Sequence, residues 1–324
     1  MTKILTPGKW RGLATTSMHD RRFAILAFDQ RGSYRRMLPE GTSYETAVQI
    51  KREVVVSLAP HVSAVLLDAI YGLPAALDMA GSSGLLMALE KSGYSGEATY
   101  RRVEFIEGWT VARIKRMGAS AVKLLVYYHP ASGALAEEIE DTVRAVAADC
   151  ERHDLPLFLE PIVYSLEADV PTKSAAFART RPEVVRETAR RLSKTGADVL
   201  KLEFPMDAAF DDDERAWQEA CEAVSEACDV PWVLLSAGVD FQTFERQARV
   251  ACQAGASGFL AGRAIWKEAV RMPPQRRAEF LAGEAQDRIY ILRQIVSRYA
   301  RPWDDFYTPV MAADDWFLTY SASP

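Results

Sequence analysis

The chain has 324 residues, 49% of them apolar and 26% charged, a balance expected of a soluble globular protein that can bury one or two sizeable cores. Lysine and arginine total 39 against 44 aspartates and glutamates, and the resulting net charge of −5 argues against a nucleic-acid binder that works by neutralising phosphates. No apolar run approaches the ~18 residues of a membrane span, and Met1–Gly8 has no apolar secretory core, so a cytoplasmic protein without a membrane partner is expected.

Eight short apolar runs follow one another along the chain: Ala24–Gln30, Ser63–Asp68, Leu85–Glu90, Ala121–Tyr128, Pro156–Tyr164, Asp198–Pro205, Pro231–Gly238 and Gly258–Ala264. Their starts lie roughly 20 to 40 residues apart, room for a strand, a loop and a crossover helix each time. Between them Thr42-Ser43-Tyr44-Glu45 and Thr180-Arg181-Pro182-Glu183 read as capping boxes, each opening a helix. Gly118 and Gly196 stand where helices over Trp109–Met117 and Val184–Thr195 should end. Past Pro273-Pro274, residues Arg276–Tyr299 read as one long amphipathic helix, and the aromatic tail Trp303–Trp316 could cover a barrel end or meet a second subunit.

Strand-like runs alternating with helical segments predict a parallel α/β fold. A closed (β/α)8 TIM barrel over about residues 20–270 fits the count, with an N-terminal helical extension and a C-terminal one over 271–324, all in one domain spanning 1–324. The competing open, doubly wound sheet usually shows a glycine-rich first turn that is missing here.

Cys150, Cys221, Cys228 and Cys252 form no C-x-x-C pair and read as buried, reduced thiols. His19, His61, His129 and His153 are scattered, so no dedicated metal site and no bound cofactor are expected; a metal held mainly by carboxylates and substrate is the alternative. Dinucleotide, P-loop and nucleophile-elbow signatures are likewise missing.

Strands of a parallel sheet are ordinarily continuous apolar runs, yet polar residues interrupt several of these. Asp29 and Asp68 end the first two, Lys123 sits inside Ala121–Val126, and Glu160 follows Leu157-Phe158-Leu159. Lys201 and Glu203 alternate with Leu200 and Leu202, so the charged pair should face the barrel interior and the leucines the helices. Ser236 and Arg263 close the last two runs. One charge at a strand end is ordinarily a salt bridge or a solvated terminus. Seven interruptions near the C-terminal ends of different strands point instead to a site, because uncompensated buried charge costs several kcal/mol and barrels build their chemistry at that end. An amine becomes nucleophilic near neutrality when burial and a neighbouring cation favour its uncharged form, a pairing that Lys123 and Lys201 can supply from separate strands, with Glu160 as general acid/base. Ser236-Ala237-Gly238 and Gly262-Arg263-Ala264 offer a hydroxyl, backbone N–H groups and a guanidinium suited to a phosphate.

At these residues the sequence resembles the class I tagatose 1,6-bisphosphate aldolase family, including the related sulfofructosephosphate aldolases. The matching segments are Ala27-Phe28-Asp29-Gln30-Arg31-Gly32, Leu67-Asp68 with Tyr71-Gly72-Leu73-Pro74, Glu90-Lys91-Ser92-Gly93-Tyr94, Ala121–Tyr128, Phe158-Leu159-Glu160, Val199–Pro205, Leu235–Val239 and Gly262-Arg263-Ala264. The resemblance implies a Schiff-base lysine at Lys201, proton transfer at the C4 hydroxyl by Glu160, electrostatic tuning by Lys123, and carbinolamine or hydroxyl contacts by Asp29 and Gln30. Ser236, Gly238 and Arg263, with the adjoining Gly262, would bind the C1 phosphate; the sequence does not assign the residues that contact the distal anion, for which Arg31 and the neighbours of Gln30 are the candidates. A small phosphosugar is the implied partner: a ketose 1,6-bisphosphate such as tagatose 1,6-bisphosphate, with 6-deoxy-6-sulfofructose 1-phosphate as the alternative, and a homo-oligomer is expected. A phosphosugar-sensing regulator is the rival of another class. His129-Pro130 departs from the family pattern, which has an acidic residue after the double tyrosine.

Overall fold

Each of the eight apolar runs becomes one strand of a closed parallel barrel in the computed structural model, which describes residues 2–91, 99–311 and 313–320. In chain order the strands are β1 (Lys3–Leu5), β2 (Phe23–Ala27), β3 (Ala64–Leu67), β4 (Gly84–Ala88), β5 (Ala121–Tyr128), β6 (Leu157–Val163), β7 (Val199–Leu202), β8 (Trp232–Leu235), β9 (Gly258–Ala261) and β10 (Tyr307–Pro309). Strands β2 to β9 pair in sequence order, and β9 closes on β2 from Phe23↔Gly258 to Leu26↔Ala261. The short β1 and β10 pair with each other, outside the barrel. This is the predicted (β/α)8 architecture, and alternation along each strand decides which side chains enter it.

Three helix boundaries differ from expectation. Ser43, one residue later than the predicted cap, accepts from Thr46 N at 3.1 Å and opens helix Tyr44–Leu58. The helix expected to begin near Thr180 starts instead at Ala175, capped by Ser174, and carries Pro182 inside it. Its Arg181 donates to Phe204 O at 3.1 Å and pairs with Glu203, which ties this turn to the end of β7. The long C-terminal helix is two, Pro274–Ala282 and Glu284–Tyr299, separated at Gly283. Gly118 and Gly196 take positive φ after their helices, as their sequence positions predict. All four cysteines are buried and unpaired. Among the described residues no helix is long and apolar enough to cross a membrane.

The N-terminal end of the barrel is closed by both extensions. Helix Pro7–Thr16 brings Lys9 to Asp198, with Nζ 3.0 Å from Oδ2, and to Glu151 at 2.7 Å. Asp198 also accepts from Leu157 N at 2.9 Å, and its carbonyl accepts from the Tyr307 hydroxyl at 2.7 Å. Burial alone would lower the Lys9 ammonium, but Asp198 and Glu151 outweigh it and hold it above its ordinary value. Trp303, fully buried, packs edge-on to Trp10 at 4.7 Å and donates to Ser17 Oγ at 2.9 Å. Of the two uses foreseen for the aromatic tail, its first part thus serves to cover a barrel end. Replacing Lys9 by Met leaves Asp198 buried without its main counter-charge, and urea unfolding at neutral pH should show a loss of about 3 kcal/mol.

Candidate active site

At the opposite end, where the C-termini of the strands converge, lies a cavity of about 470 Å³. Its walls repeat at every second residue of a strand: Lys123, Leu125 and Tyr127 on β5, Glu160 and Ile162 on β6, Lys201 and Glu203 on and just past β7. That period places Lys201 and Glu203 on the inner face, as their alternation with Leu200 and Leu202 predicts. Below them the alternation turns apolar, and Phe158, on the same face of β6 as Glu160, packs edge-on against Phe23 at 5.5 Å. A charged layer therefore sits on an aromatic floor.

Lys123 is the centre of that layer. Its ammonium is wholly buried and lies 2.8 Å from Asp29 Oδ2, 2.8 Å from Glu160 Oε2 and 3.1 Å from Glu90 Oε1. Burial alone would lower its pKa, but Asp29, Glu160 and Glu90 reverse this and hold Lys123 well above the ordinary lysine value. The converse holds for Asp29, where burial would raise the carboxyl and Lys123, Lys201 and Arg31 together hold it well below the ordinary range. The second cation foreseen beside Lys201 is therefore present, but three carboxylates compensate it.

Lys201 meets one carboxylate. Its Nζ lies 2.8 Å from Glu160 Oε1, so Glu160 stands between the two lysines with one oxygen toward each. Oε2 of Glu160 satisfies the distance of a hydrogen bond to Lys123 but not its angles, and we read this contact as charge–charge attraction rather than an aligned bond.

The sites foreseen for phosphate also reach the cavity. Ser236, Gly262 and Arg263 line it, with Gly238 beside them. Ala237 and Gly238 both take positive φ, which turns the backbone at the end of β8 into a tight hook. A Cβ on Gly238 would fall 2.9 Å from Arg263 Cζ, and one on Gly262 would fall 2.3 Å from Ala27 O, so glycine at both positions lets guanidinium and backbone approach. The guanidinium groups of Arg263 and of the exposed Arg36, another cavity residue, make no hydrogen bond or ion pair with any described residue. Gln30 lines the cavity with its buried Oε1 unpartnered among the described residues.

One expectation is corrected. Asp68, counted among the polar interruptions, lies outside the cavity: it pairs with the fully buried Lys51 and accepts from Ile70 N and Tyr71 N, each at 2.8 Å. Arg31 lines the cavity, but its terminal nitrogens are committed to Glu90, at 2.6 Å to the carbonyl and 2.9 Å to Oε1. Only its buried Nε lacks a partner. His129 does not line the cavity, and its Nδ1 accepts from Ala131 N at 3.1 Å within the turn after β5. Ser92, Gly93 and Tyr94 of the third matching segment lie outside the described residues.

Glu90 is the residue that sequence reasoning passed over. Nearly inaccessible, it joins Arg31, Lys123 and the backbone of β5, through a 3.0 Å bond from Leu125 N to Oε2. The signal was available, since Glu90 ends the third apolar run as Asp29 ends the first. Ser33 and Arg36 come from the short helix Gly32–Met37 just past β2 and Arg101 from the segment between β4 and β5, placements that no strand pattern reveals. Among the described residues no group of three or more His, Cys, Asp or Glu has a geometry that could hold a metal ion. The three carboxylates that converge here do so on an ammonium.

Residues 23–268 match the family of DeoC/LacD aldolases. The chain belongs to that family. Tagatose 1,6-diphosphate aldolase 2 of Streptococcus pyogenes serotype M3 is 34% identical to this chain, covering 94% of it and 99% of its own length. Tagatose 1,6-diphosphate aldolase of Listeria monocytogenes serotype 4a is 33% identical, over 92% of this chain and 94% of its own. Among solved structures, an archaeal fructose 1,6-bisphosphate aldolase superposes with a TM-score of 0.58 at 20% identity, over 88% of this chain and 97% of its own. Fructose-bisphosphate aldolase from Plasmodium falciparum does so with a TM-score of 0.66 at 14% identity, over 93% and 98%. At those identities the two structures attest the barrel fold of this DeoC/LacD member and nothing finer.

Replacing Lys123 by Met in this aldolase-family barrel would leave three carboxylates facing one another. Urea unfolding at pH 7 should then show a loss of about 3–5 kcal/mol. The deficit should shrink toward pH 4, where the mutually repelled carboxylates of the variant take up protons. The unsubstituted chain behaves oppositely: Asp29, held low, contributes stability that is present above its unfolded value near about pH 4 and drains away as pH falls toward its folded value.

Proposed function

We propose that this chain, as one domain over residues 1–324, is a class I aldolase that cleaves a ketose 1,6-bisphosphate such as tagatose 1,6-bisphosphate to dihydroxyacetone phosphate and glyceraldehyde 3-phosphate. The observation that carries the reading is the division of labour between the two buried lysines. Lys123, ringed by Asp29, Glu90 and Glu160, is held charged, whereas Lys201 has one carboxylate and an open cavity before it. Only the second faces open space in which a carbonyl carbon can approach its nitrogen.

In the proposed reaction the Lys201 amine adds to the ketose C2 carbonyl, the carbinolamine loses water, and the iminium withdraws electrons from C3. Glu160 takes the proton of the C4 hydroxyl while the C3–C4 bond breaks, its electron pair passing into the enamine and the C4 oxygen becoming the aldehyde. Protonation at C3 and hydrolysis of the imine then release dihydroxyacetone phosphate and restore the amine. Asp29 and the free amide oxygen of Gln30 face the substrate hydroxyls and the carbinolamine. Ser236, Gly238, Gly262 and Arg263 receive the C1 phosphate, and the unpartnered Arg36 receives the distal anion in place of Arg31, whose terminal nitrogens Glu90 occupies. The names of the Streptococcus and Listeria relatives favour the bisphosphate over the sulfonated ketose. A sensor that merely bound a sugar phosphate would have no use for an amine and a carboxylate at 2.8 Å.

Borohydride reduction with dihydroxyacetone phosphate, followed by peptide mapping, should place a stable adduct on Lys201. An adduct on Lys123 would exchange the lysine roles, and none at all would remove the imine. Glu160→Gln should lower kcat by about 10²–10⁴-fold with a smaller change in KM. Arg36→Ala should raise KM for the bisphosphate but not for a ketose 1-phosphate lacking the distal group. Comparing kcat/KM for the bisphosphate and 6-deoxy-6-sulfofructose 1-phosphate identifies the substrate, and a preference above about tenfold, ~1.4 kcal/mol, decides it.

A further inference from the structure

We propose that Lys51, on helix Tyr44–Leu58 behind the barrel wall, is a positioning residue that holds Asp29 and Gln30 in register with the reacting lysines by clamping the backbone on either side of Asp29. The inference rests on the reading above, in which Asp29 and Gln30 act on the substrate. Lys51 does not line the cavity and is fully buried. Its ammonium donates to Phe28 O at 2.7 Å, to Gln30 O at 3.1 Å and to Asp68 Oδ2, which uses all three of its hydrogens.

The need for such a clamp follows from where β2 ends. The strand stops at Ala27, and Phe28 N, bonded to Leu66 O at 2.8 Å, makes the last ladder contact with β3. The carbonyls of Phe28 and Gln30 lie beyond that ladder, so no strand neighbour fixes the peptides that aim the Asp29 carboxylate at Lys123. Lys51 takes the place of that neighbour. It is anchored in turn by Asp68, whose other oxygen holds the turn after β3 through Ile70 N and Tyr71 N. Aromatic faces enclose the ammonium, with ring centres of Phe28 at 4.5 Å, Tyr34 at 5.3 Å and Tyr71 at 5.6 Å. Trp266 supports the same segment from the other side, stacked on Phe28 at 3.8 Å and donating to Ala27 O at 2.9 Å. An apolar side chain of similar volume would fill this space without the desolvation cost of a buried cation. What only the ammonium supplies is the placement of two carbonyls one residue either side of Asp29.

The test uses the full chain and paired variants. Lys51→Met alone leaves Asp68 buried and unpaired and can fail to fold, so Lys51→Met/Asp68→Asn is made beside it, since asparagine keeps an acceptor for Ile70 N and Tyr71 N. Lys9→Met/Asp198→Asn is the control: an equally buried lysine–aspartate pair at the far end of the barrel, with no contact to the cavity. Active sites are counted by borohydride trapping of Lys201 with dihydroxyacetone phosphate, and kcat is expressed per trapped site. The Lys51/Asp68 variant should be trapped in full but more slowly, with kcat lowered at least about tenfold and KM changed less than about threefold. The control should lose thermal stability and keep its kcat per site. If the Lys51/Asp68 variant turns over like the unsubstituted enzyme, or no worse than the control, the positioning role is wrong while the aldolase reading stands. If the unsubstituted chain neither cleaves the bisphosphate nor is trapped, the aldolase reading fails and takes this inference with it.

Discussion

The ammonium of Lys123 among the carboxylates of Asp29, Glu90 and Glu160 is the interaction on which the upper half of the barrel depends. The acids come from just past β2 and β4 and from the middle of β6, strands that do not touch one another, and the ammonium comes from β5. Without it, three like charges would meet in a space sealed below by Phe23 and Phe158, where repulsion is poorly screened. With it, these strands are drawn together, and Arg31 supplies Glu90 with a further counter-charge. Three acids then face three bases when Lys201 is protonated. A proton passing from Lys201 to Glu160 leaves the sum unchanged, and so does its return once an iminium carries the positive charge. On the proposed mechanism the cluster stays neutral at each stage, which a low-dielectric site requires.

Buried lysines recur through this fold, and the set of acceptors around each decides its use. Lys9 meets two carboxylates at the closed end of the barrel and works as a strut between the N-terminal helix and β7. Lys51 meets one carboxylate and two carbonyls, a geometry that places backbone. Lys123 meets three carboxylates and is a fixed charge. Lys201 meets one, next to open space, and on the proposed mechanism is the amine left for chemistry. The side chain is the same in each case, and only the balance between desolvation and compensation differs.

The barrel was legible in the sequence because its signal is periodic. Eight apolar runs at crossover spacing announce the strands, and the alternation of Lys201 and Glu203 with leucines announces the inner face. What stayed hidden is carried by contacts between distant residues. Asp68 and Glu90 each end an apolar run and look alike in sequence. One meets Lys51 behind the wall and the other meets Lys123 inside it, and nothing local distinguishes them. The pairing of Arg31 with Glu90 is hidden in the same way, since the two residues lie far apart in the chain. The helix around Pro182 shows the same lesson for secondary structure: a proline expected at a helix start lies within the helix, on a turn whose neighbouring Arg181 is bound to Glu203 and Phe204.

A chain with a net charge of −5 repels a polyanion at long range, so a phosphosugar site in it must concentrate positive charge locally. The distribution of ion pairs around the cavity does this. Its acids are compensated from within, Asp29, Glu90 and Glu160 by Lys123, Lys201 and Arg31, and Glu203 by Arg181 from the helix behind β7. Arg36 and Arg263 are left facing the cavity without such partners among the described residues, one beyond β2 and the other beyond β9. Those strands are neighbours in the barrel, so the two guanidinium groups approach the cavity from the same arc of its rim, on the side away from Glu160. An extended substrate with anions on both ends would be held by its termini along that arc, its middle carbons presented to the amine and the carboxylate across the floor. The internal pairing of every acid is thus what leaves the positive field at the rim free to select a ligand.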